Sequence, residues 1–155
     1  QIFFGYIYYQ IGLIVTVFLA GLLPGAVFGE RLRRHGRQVL IITDALLIAL
    51  LLLFIASVYI VGDHLPLGSF LFFGFMVSAA CGCQFPVALY LRGSSQSAAI
   101  QSFSADLIGA AAGTLITSVL LIPYVGILWA AAALVGIKAA SLVLIRTDHD
   151  IHIQT

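Results

Sequence analysis

Five apolar runs, each long enough to cross a lipid bilayer, restrict the fold of this chain more than any other feature. Hydrophobic residues make up 62% of the 155 residues and charged residues only 8%, whereas about a quarter of the residues of soluble domains are charged. Crossing the hydrocarbon core takes about 20 apolar helical residues. The runs do not alternate as membrane strands do. The sequence therefore predicts an all-α, polytopic transmembrane bundle with spans over 2–28, 39–61, 69–91, 104–122 and 127–145.

The ends of the chain suggest a piece of a longer protein. The sequence starts at Gln1 within an apolar run and has no basic segment before it, unlike a signal peptide. We expect one transmembrane domain over 1–155, with a polar cytoplasmic tail over 146–155 and at least one further helix before Gln1.

The arginines predict how the spans are oriented. In the five-span arrangement all of them fall on one side, which the positive-inside rule makes cytoplasmic. The N-terminus then lies outside and the C-terminus inside a bacterial-type inner membrane. Most tyrosines and the tryptophan fall near the opposite interface, where aromatic belts are expected. The arginines are Arg31, Arg33, Arg34, Arg37, Arg92 and Arg146, and the aromatic residues are Tyr6, Tyr8, Tyr9, Tyr59, Tyr124 and Trp129, with Tyr90 the exception.

Four polar side chains lie within the predicted spans, namely Asp44, Gln84, Asp106 and Lys138. A charge in the hydrocarbon costs about 3 kcal/mol or more, so each needs a partner or a wet cavity. The four could line a path for a substrate or a proton, with an acid paired to Lys138. They could instead form an ion pair that sets helix register, with Lys138 reaching the interface and Gln84 bonding backbone groups freed by Pro86.

Asp106 has a second interpretation that depends on where its helix begins. A start at Ser104 puts Asp106 about 3 Å into the helix, where a carboxylate stabilises the N-terminal N–H groups. We therefore expect a capping role for Asp106. Asp44 and Lys138 lie deeper in the membrane, so we expect a functional role for them rather than for Asp106.

Small residues recur at helical spacing in several spans and predict close helix contacts. In lipid, helices associate through packing, and glycines let their backbones approach. The contacts could be internal, or they could serve a partner subunit. The predicted packing glycines are Gly21, Gly25, Gly74, Gly82, Gly109, Gly113 and Gly136.

The remaining composition argues against several classes of site. Cys81 and Cys83 are best explained as small packing residues. All four histidines lie in loops or the tail, so we expect no cofactor and no metal site in the membrane. The two histidines of the 148–153 segment, with their neighbouring acids, are better explained as a solvated terminus. A net charge of +1 argues against a nucleic-acid partner.

Two stretches resemble known families. The segments Cys81-Gly-Cys-Gln-Phe-Pro-Val-Ala-Leu89, Ser104-Ala-Asp-Leu-Ile-Gly-Ala-Ala-Ala-Gly113 and Leu121-Ile-Pro-Tyr-Val-Gly126 resemble the membrane domain of spermidine-synthase-like integral membrane proteins. In that family the aminopropyltransferase chemistry belongs to a soluble nucleotide-fold domain, which this chain does not contain. The resemblance therefore implies a membrane domain without enzyme activity.

The second resemblance is to major facilitator transporters. Gly25-Ala-Val-Phe-Gly-Glu-Arg-Leu-Arg-Arg-His-Gly-Arg37 is similar to the basic loop after their second helix, although the final Gly-Arg comes three residues late. It implies that the chain supplies the second to sixth helices of a six-helix half. Glu30 with Arg31, Arg33, Arg34 and Arg37 would then latch conformations. The alternative is an arginine cluster that only sets topology.

Two functions follow from these features. The first is transport or binding of a small molecule, such as a cationic amine held through Asp44 and Asp106. The second is a structural or accessory subunit that presents glycine stripes to the helices of a larger membrane complex. Both place the chain in the lipid bilayer.

Overall fold

A computed structural model describes residues 2–62, 66–93 and 96–153, and this part of the chain is helical throughout apart from short connections. The all-α prediction is therefore confirmed for these residues. A single 3₁₀ turn, Arg33–His35, joins α1 to α2, and a π-helical turn, Thr117–Leu121, joins α4 to α5. The helices are α1 Ile2–Leu32, α2 Gly36–Val61, α3 Leu67–Arg92, α4 Gln96–Ile116, α5 Ile122–Val125 and α6 Ile127–Ile153.

Four helical stretches are long and apolar enough to cross a membrane: Tyr8–Val61, Leu67–Arg92, Ala99–Val125 and Ile127–Leu144. The first of them contains both α1 and α2. The Arg33–His35 turn lies between these helices, and Gly36, the first residue of α2, has φ +37°. Most large apolar side chains are exposed and few are buried. This distribution suits a protein surrounded by lipid rather than water, since lipid tails are as apolar as leucine.

Contacts along α3 show that α1 and α2 run in opposite directions. Gly21 of α1 lies against Ser78, and Gly29 lies against Cys83 and Pro86, so α1 is parallel to α3. Going from Asp44 to Phe54 of α2, the partners on α3 change from Gln84 to Phe70 and Phe73, so α2 is antiparallel to it. The Arg33–His35 turn therefore reverses the chain.

Several helices are longer than the spans predicted within them, most of all α4 and α6. Helix α4 begins at Gln96 rather than at 104, and α6 continues to Ile153 rather than ending at 145. Polar residues occupy both extensions. Hydropathy marks the part of a helix that suits lipid, whereas backbone hydrogen bonding continues into polar surroundings. The predicted polar tail is thus helical to Ile153.

The chain stays helical past Pro123 up to Gly126, where the fourth apolar run ends. The Ile122 N–H donates to the Thr117 carbonyl, the i→i−5 pattern of a π-helix. Gly126 has φ +86°, and α6 begins at the next residue. This hairpin brings α6 against the Thr117–Leu121 turn and α5.

Glycines at the α1–α3 contact lie where helix backbones meet. A Cβ on Gly25 would overlap the carbonyl of Ala79 and lie 2.8 Å from its carbon atom. A Cβ on Gly82 would lie 3.1 Å from the Cα of Leu22. Gly21 likewise faces Phe75 and Ser78.

Four other predicted packing glycines have a different environment. A Cβ on any of them would meet no atom within 4 Å among the described residues, so they make no close helix contact there. They are Gly74, Gly109, Gly113 and Gly136.

Candidate functional site

Asp44, Gln84 and Lys138 meet in one hydrogen-bonded cluster that joins three helices. Asp44 lies on α2, Gln84 on α3 and Lys138 on α6. The Lys138 ammonium lies 2.8 Å from Asp44 Oδ1, and Gln84 Nε2 donates to the same oxygen over 2.6 Å. Lys138 Nζ also donates to Gln84 Oε1 over 3.2 Å. The structure thus brings together three of the four polar residues that the sequence singled out.

Neighbouring hydroxyl groups complete the cluster. Ser141 Oγ donates to Asp44 Oδ2 over 3.4 Å. Thr43 Oγ1 accepts the second N–H of Gln84 over 3.1 Å and donates to the Val39 carbonyl over 2.8 Å. Every polar atom of the Gln84 amide therefore has a partner. Thr43 and Ser141 were not predicted from the sequence, although Ser141 follows Lys138 by three residues and so shares its helix face.

The two charges of the cluster differ in their exposure. Asp44 is 3% exposed, whereas the Lys138 side chain is 31% exposed. A buried carboxylate without a cation is strongly unfavourable, whereas a hydrogen-bonded pair is tolerated. Lys138 therefore neutralises Asp44 on one side and faces open space on the other.

A cavity of about 470 Å³ lies beside the cluster, between α3, α4 and α6. Helix α6 packs on α2 and on the Thr117–Val125 segment, so α4 and α6 diverge from the hairpin at Gly126. Helix α3 closes one side of the space between α4 and α6. The polar residues that line the cavity are Cys81, Gln84, Arg92, Ser102, Asp106 and Lys138, and the apolar ones are Phe85, Ala88 and Leu89.

Asp106 lines this cavity and does not cap a helix, so the predicted capping role is wrong. Because α4 begins at Gln96, Asp106 is ten residues into the helix, about 15 Å from its start. The Asp106 side chain is exposed. Within the described ranges it makes no hydrogen bond or ion pair, unlike Asp44. Asp106 is thus an acid on a long apolar helix, and its side chain faces the open cavity.

Neither Arg92 nor Ser102 was predicted to be a site residue, yet both line the cavity. The Arg92 guanidinium donates to Ser102 Oγ over 3.3 Å. Arg92 ends α3, and Ser102 lies on α4 just before the predicted span over 104–122. Because α4 extends back to Gln96, Ser102 lies one turn before Asp106 on the same helix face. Their four-residue spacing is the sequence signal that relates them.

The basic turn lies at the same end of the bundle as Arg92. Arg33 pairs with Glu30 over 2.6 Å, and its guanidinium lies 5.6 Å from the centre of the Tyr90 ring. Tyr90, the aromatic residue at the arginine end, thus contacts an arginine there. Arg31, Arg34 and Arg37 make no ion pair within the part of the chain that the structure describes.

No group of three metal-binding side chains forms within the described ranges. The side chains of Asp148, His149, Asp150 and His152 lie outside the described residues, as do Asp63 and His64. Cys81 lines the cavity and Cys83 packs against Val39 and Val87.

Comparison of the chain with known protein families, with curated proteins and with solved structures finds no match, so the resemblances in the sequence stay predictions.

Proposed function

We propose that this chain is a non-enzymatic integral membrane domain that binds a small amine in the cavity between α3, α4 and α6, as part of a transport path. The observation that carries this proposal is Asp106, an acid with no hydrogen bond or ion pair among the described residues, which faces an open cavity of about 470 Å³ between apolar helices. A carboxylate in such surroundings favours a cationic ligand, because an ammonium group replaces the lost hydration.

Asp106 is the better amine receptor of the two intramembrane acids. Both oxygens of Asp44 already accept hydrogen bonds, from Lys138, Gln84 and Ser141. A ligand amine would have to displace Lys138 to reach Asp44. We therefore assign the amine to Asp106 and a positioning role to the Asp44–Lys138 pair, which holds α2, α3 and α6 together along one side of the cavity.

The proposal includes a five-span topology with the arginine end in the cytoplasm. Opposite directions of α1 and α2 support two separate crossings within Tyr8–Val61. Arg33 contacts Tyr90 near the end of α3, which places the basic turn beside Arg92. Exposed tyrosines lie toward the other end, with Tyr59 and Tyr124 more than 80% exposed. Arginines at one end and aromatic residues at the other suit the two faces of a membrane.

Binding of butylamine to the purified protein in lipid nanodiscs tests the proposal. We expect saturable binding by calorimetry at low salt, weakened roughly tenfold or more by Asp106→Asn because a charge-assisted hydrogen bond is lost. Glu30→Gln is the matched control, since it removes an exposed acid outside the cavity. Equal butylamine affinity in Asp106→Asn and the parent would overturn the assignment.

A second function, that of an accessory subunit, is favoured by the open face of α4. Gly109 and Gly113 lie four residues apart on this helix, and no described atom approaches the space above either. A partner helix could pack there closely. Gly113→Leu should then lower recovery of a co-purified complex from native membranes, whereas Gly12→Leu, also open, should not. Full recovery of the Gly113→Leu complex would count against this function.

A further inference from the structure

The charges that line the cavity are of both signs and lie at separate places. Lys138 and Arg92 are cationic and Asp106 is anionic. The buried Asp44 neutralises Lys138 at 2.8 Å. Arg92 donates to a neutral hydroxyl, that of Ser102, and makes no ion pair within the described ranges. Arg92 and Asp106 are therefore two cavity-lining groups of opposite charge that make no ion pair among the described residues.

We propose that the ligand of this cavity is zwitterionic, with an anionic group bound by Arg92 and an ammonium group bound by Asp106. This inference rests on the proposed function, because it takes the amine site at Asp106 and adds a second anchor. A purely cationic ligand could bind only Asp106 and would make no favourable contact with Arg92. A ligand with both charges satisfies both side chains.

The separation of the anchors restricts the length of the ligand. Ser102, which accepts from Arg92, precedes Asp106 by four residues on α4. One helical turn separates them along the axis, about 6 Å. A γ-amino acid, whose amine and carboxylate are separated by three methylene groups, suits this spacing.

The wall between the two anchors suits a short aliphatic chain. Phe85, Ala88 and Leu89 of α3 line the cavity beside Arg92. The ring of Phe85 contacts Phe103 of α4 edge-on, with ring centres 6.5 Å apart, and this pair links the two helices. Methylene groups of the ligand would contact these apolar side chains, while its charged ends reach Arg92 and Asp106.

Two ligands of matched length test the inference by calorimetry on the full chain in nanodiscs at low salt: γ-aminobutyrate and butylamine. We expect γ-aminobutyrate to bind about tenfold to a hundredfold more tightly than butylamine, the gain of one charge-assisted contact. Arg92→Gln should remove that advantage. Arg92→Lys should keep part of it, since it retains the charge without the planar fork. Arg34→Gln, outside the cavity, is the matched control and should keep all of it.

The outcomes separate this inference from the proposed function. Equal affinities for γ-aminobutyrate and butylamine in the parent protein would overturn the zwitterion and leave the amine site standing. A tighter γ-aminobutyrate complex that Arg92→Gln does not weaken would also overturn it, because Arg92 would then not be the anion receptor. No binding of either amine would overturn the proposed function and this inference together.

Discussion

Helices α1 and α4 share one sequence pattern and have opposite environments. Each has glycines four residues apart, Gly21 and Gly25 on α1 and Gly109 and Gly113 on α4. On α1 the glycines meet the backbone and side chains of α3, whereas on α4 a Cβ would meet nothing within 4 Å among the described residues. The spacing shows that a helix can be approached closely. It does not show which neighbour does so.

The acids of the two regions differ in the same way. Asp44, in the packed region of α2, α3 and α6, is 3% exposed and accepts hydrogen bonds from three side chains. Asp106, on α4, is exposed to the cavity. We therefore expect substitutions in the packed region to change stability, and similar substitutions on α4 to change ligand binding or assembly.

The largest expected effect is that of Lys138→Met, which leaves the buried Asp44 carboxylate without its cation. Breaking a buried pair by removing one partner costs about 3–5 kcal/mol. Denaturation of the purified protein in mixed micelles would measure the loss. Asp106→Asn is the matched variant on the open side and should change the unfolding free energy by less than about 0.5 kcal/mol.

A double variant, Asp44→Asn with Lys138→Met, separates charge from packing. Since neither charge is then left alone, most of the lost stability should return. If Asp106→Asn destabilised the protein as much as Lys138→Met, the contrast between the two acids would be wrong.

An intermediate effect is expected for Gly25→Leu. Its side chain would overlap the backbone of Ala79, so α1 and α3 must move apart. Overpacking costs about 1–3 kcal/mol, and loss of contact along the rest of the helix pair puts this variant at the upper end. Gly113→Leu is the control in the same type of helix at the same glycine spacing. Equal melting temperatures for the two variants in detergent would contradict the comparison.

The smallest effect should come from Arg33→Gln at the edge of the packed region. The variant loses the pair with Glu30 and the contact with Tyr90, both partly exposed. Exposed ion pairs and cation–π contacts contribute about 0.2–1 kcal/mol each. A fall of about 1 kcal/mol in unfolding free energy is expected, with Arg34→Gln unchanged. A larger loss, comparable to that of Lys138→Met, would show that the basic turn is a main attachment of α1 and α2.

Much of the fold could be predicted from hydropathy alone, and the errors have one cause. The start of α6 and both ends of α3 were predicted to within two residues, because Gly and Pro bound those apolar runs. The predicted fourth span starts eight residues after α4 begins, since polar residues such as Gln96 and Gln101 interrupt the segment before it. Because the predicted span starts at 104, Ser102 fell outside it. Asp106 fell near its start, which suggested a capping role.

The candidate site was predictable as a set of residue types and not as an arrangement. Charged and amide side chains in apolar helices require partners, so Asp44, Gln84 and Lys138 could be named from the sequence. Their partners could not, because 40 residues separate Asp44 from Gln84 and 94 separate it from Lys138. No local pattern determines which helix faces meet.

The sequence by itself determined that this chain forms helices suited to a membrane, which side chains there need neutralising, and where glycines permit close approach. Each of these follows from the chemistry of single residues or from helical spacing. Only the tertiary structure decided that α1 rather than α4 uses its glycines against α3, that Lys138 pairs with Asp44, and that Asp106 faces a cavity. Those outcomes depend on packing between distant segments, and in lipid many helix faces are nearly equal in apolar character.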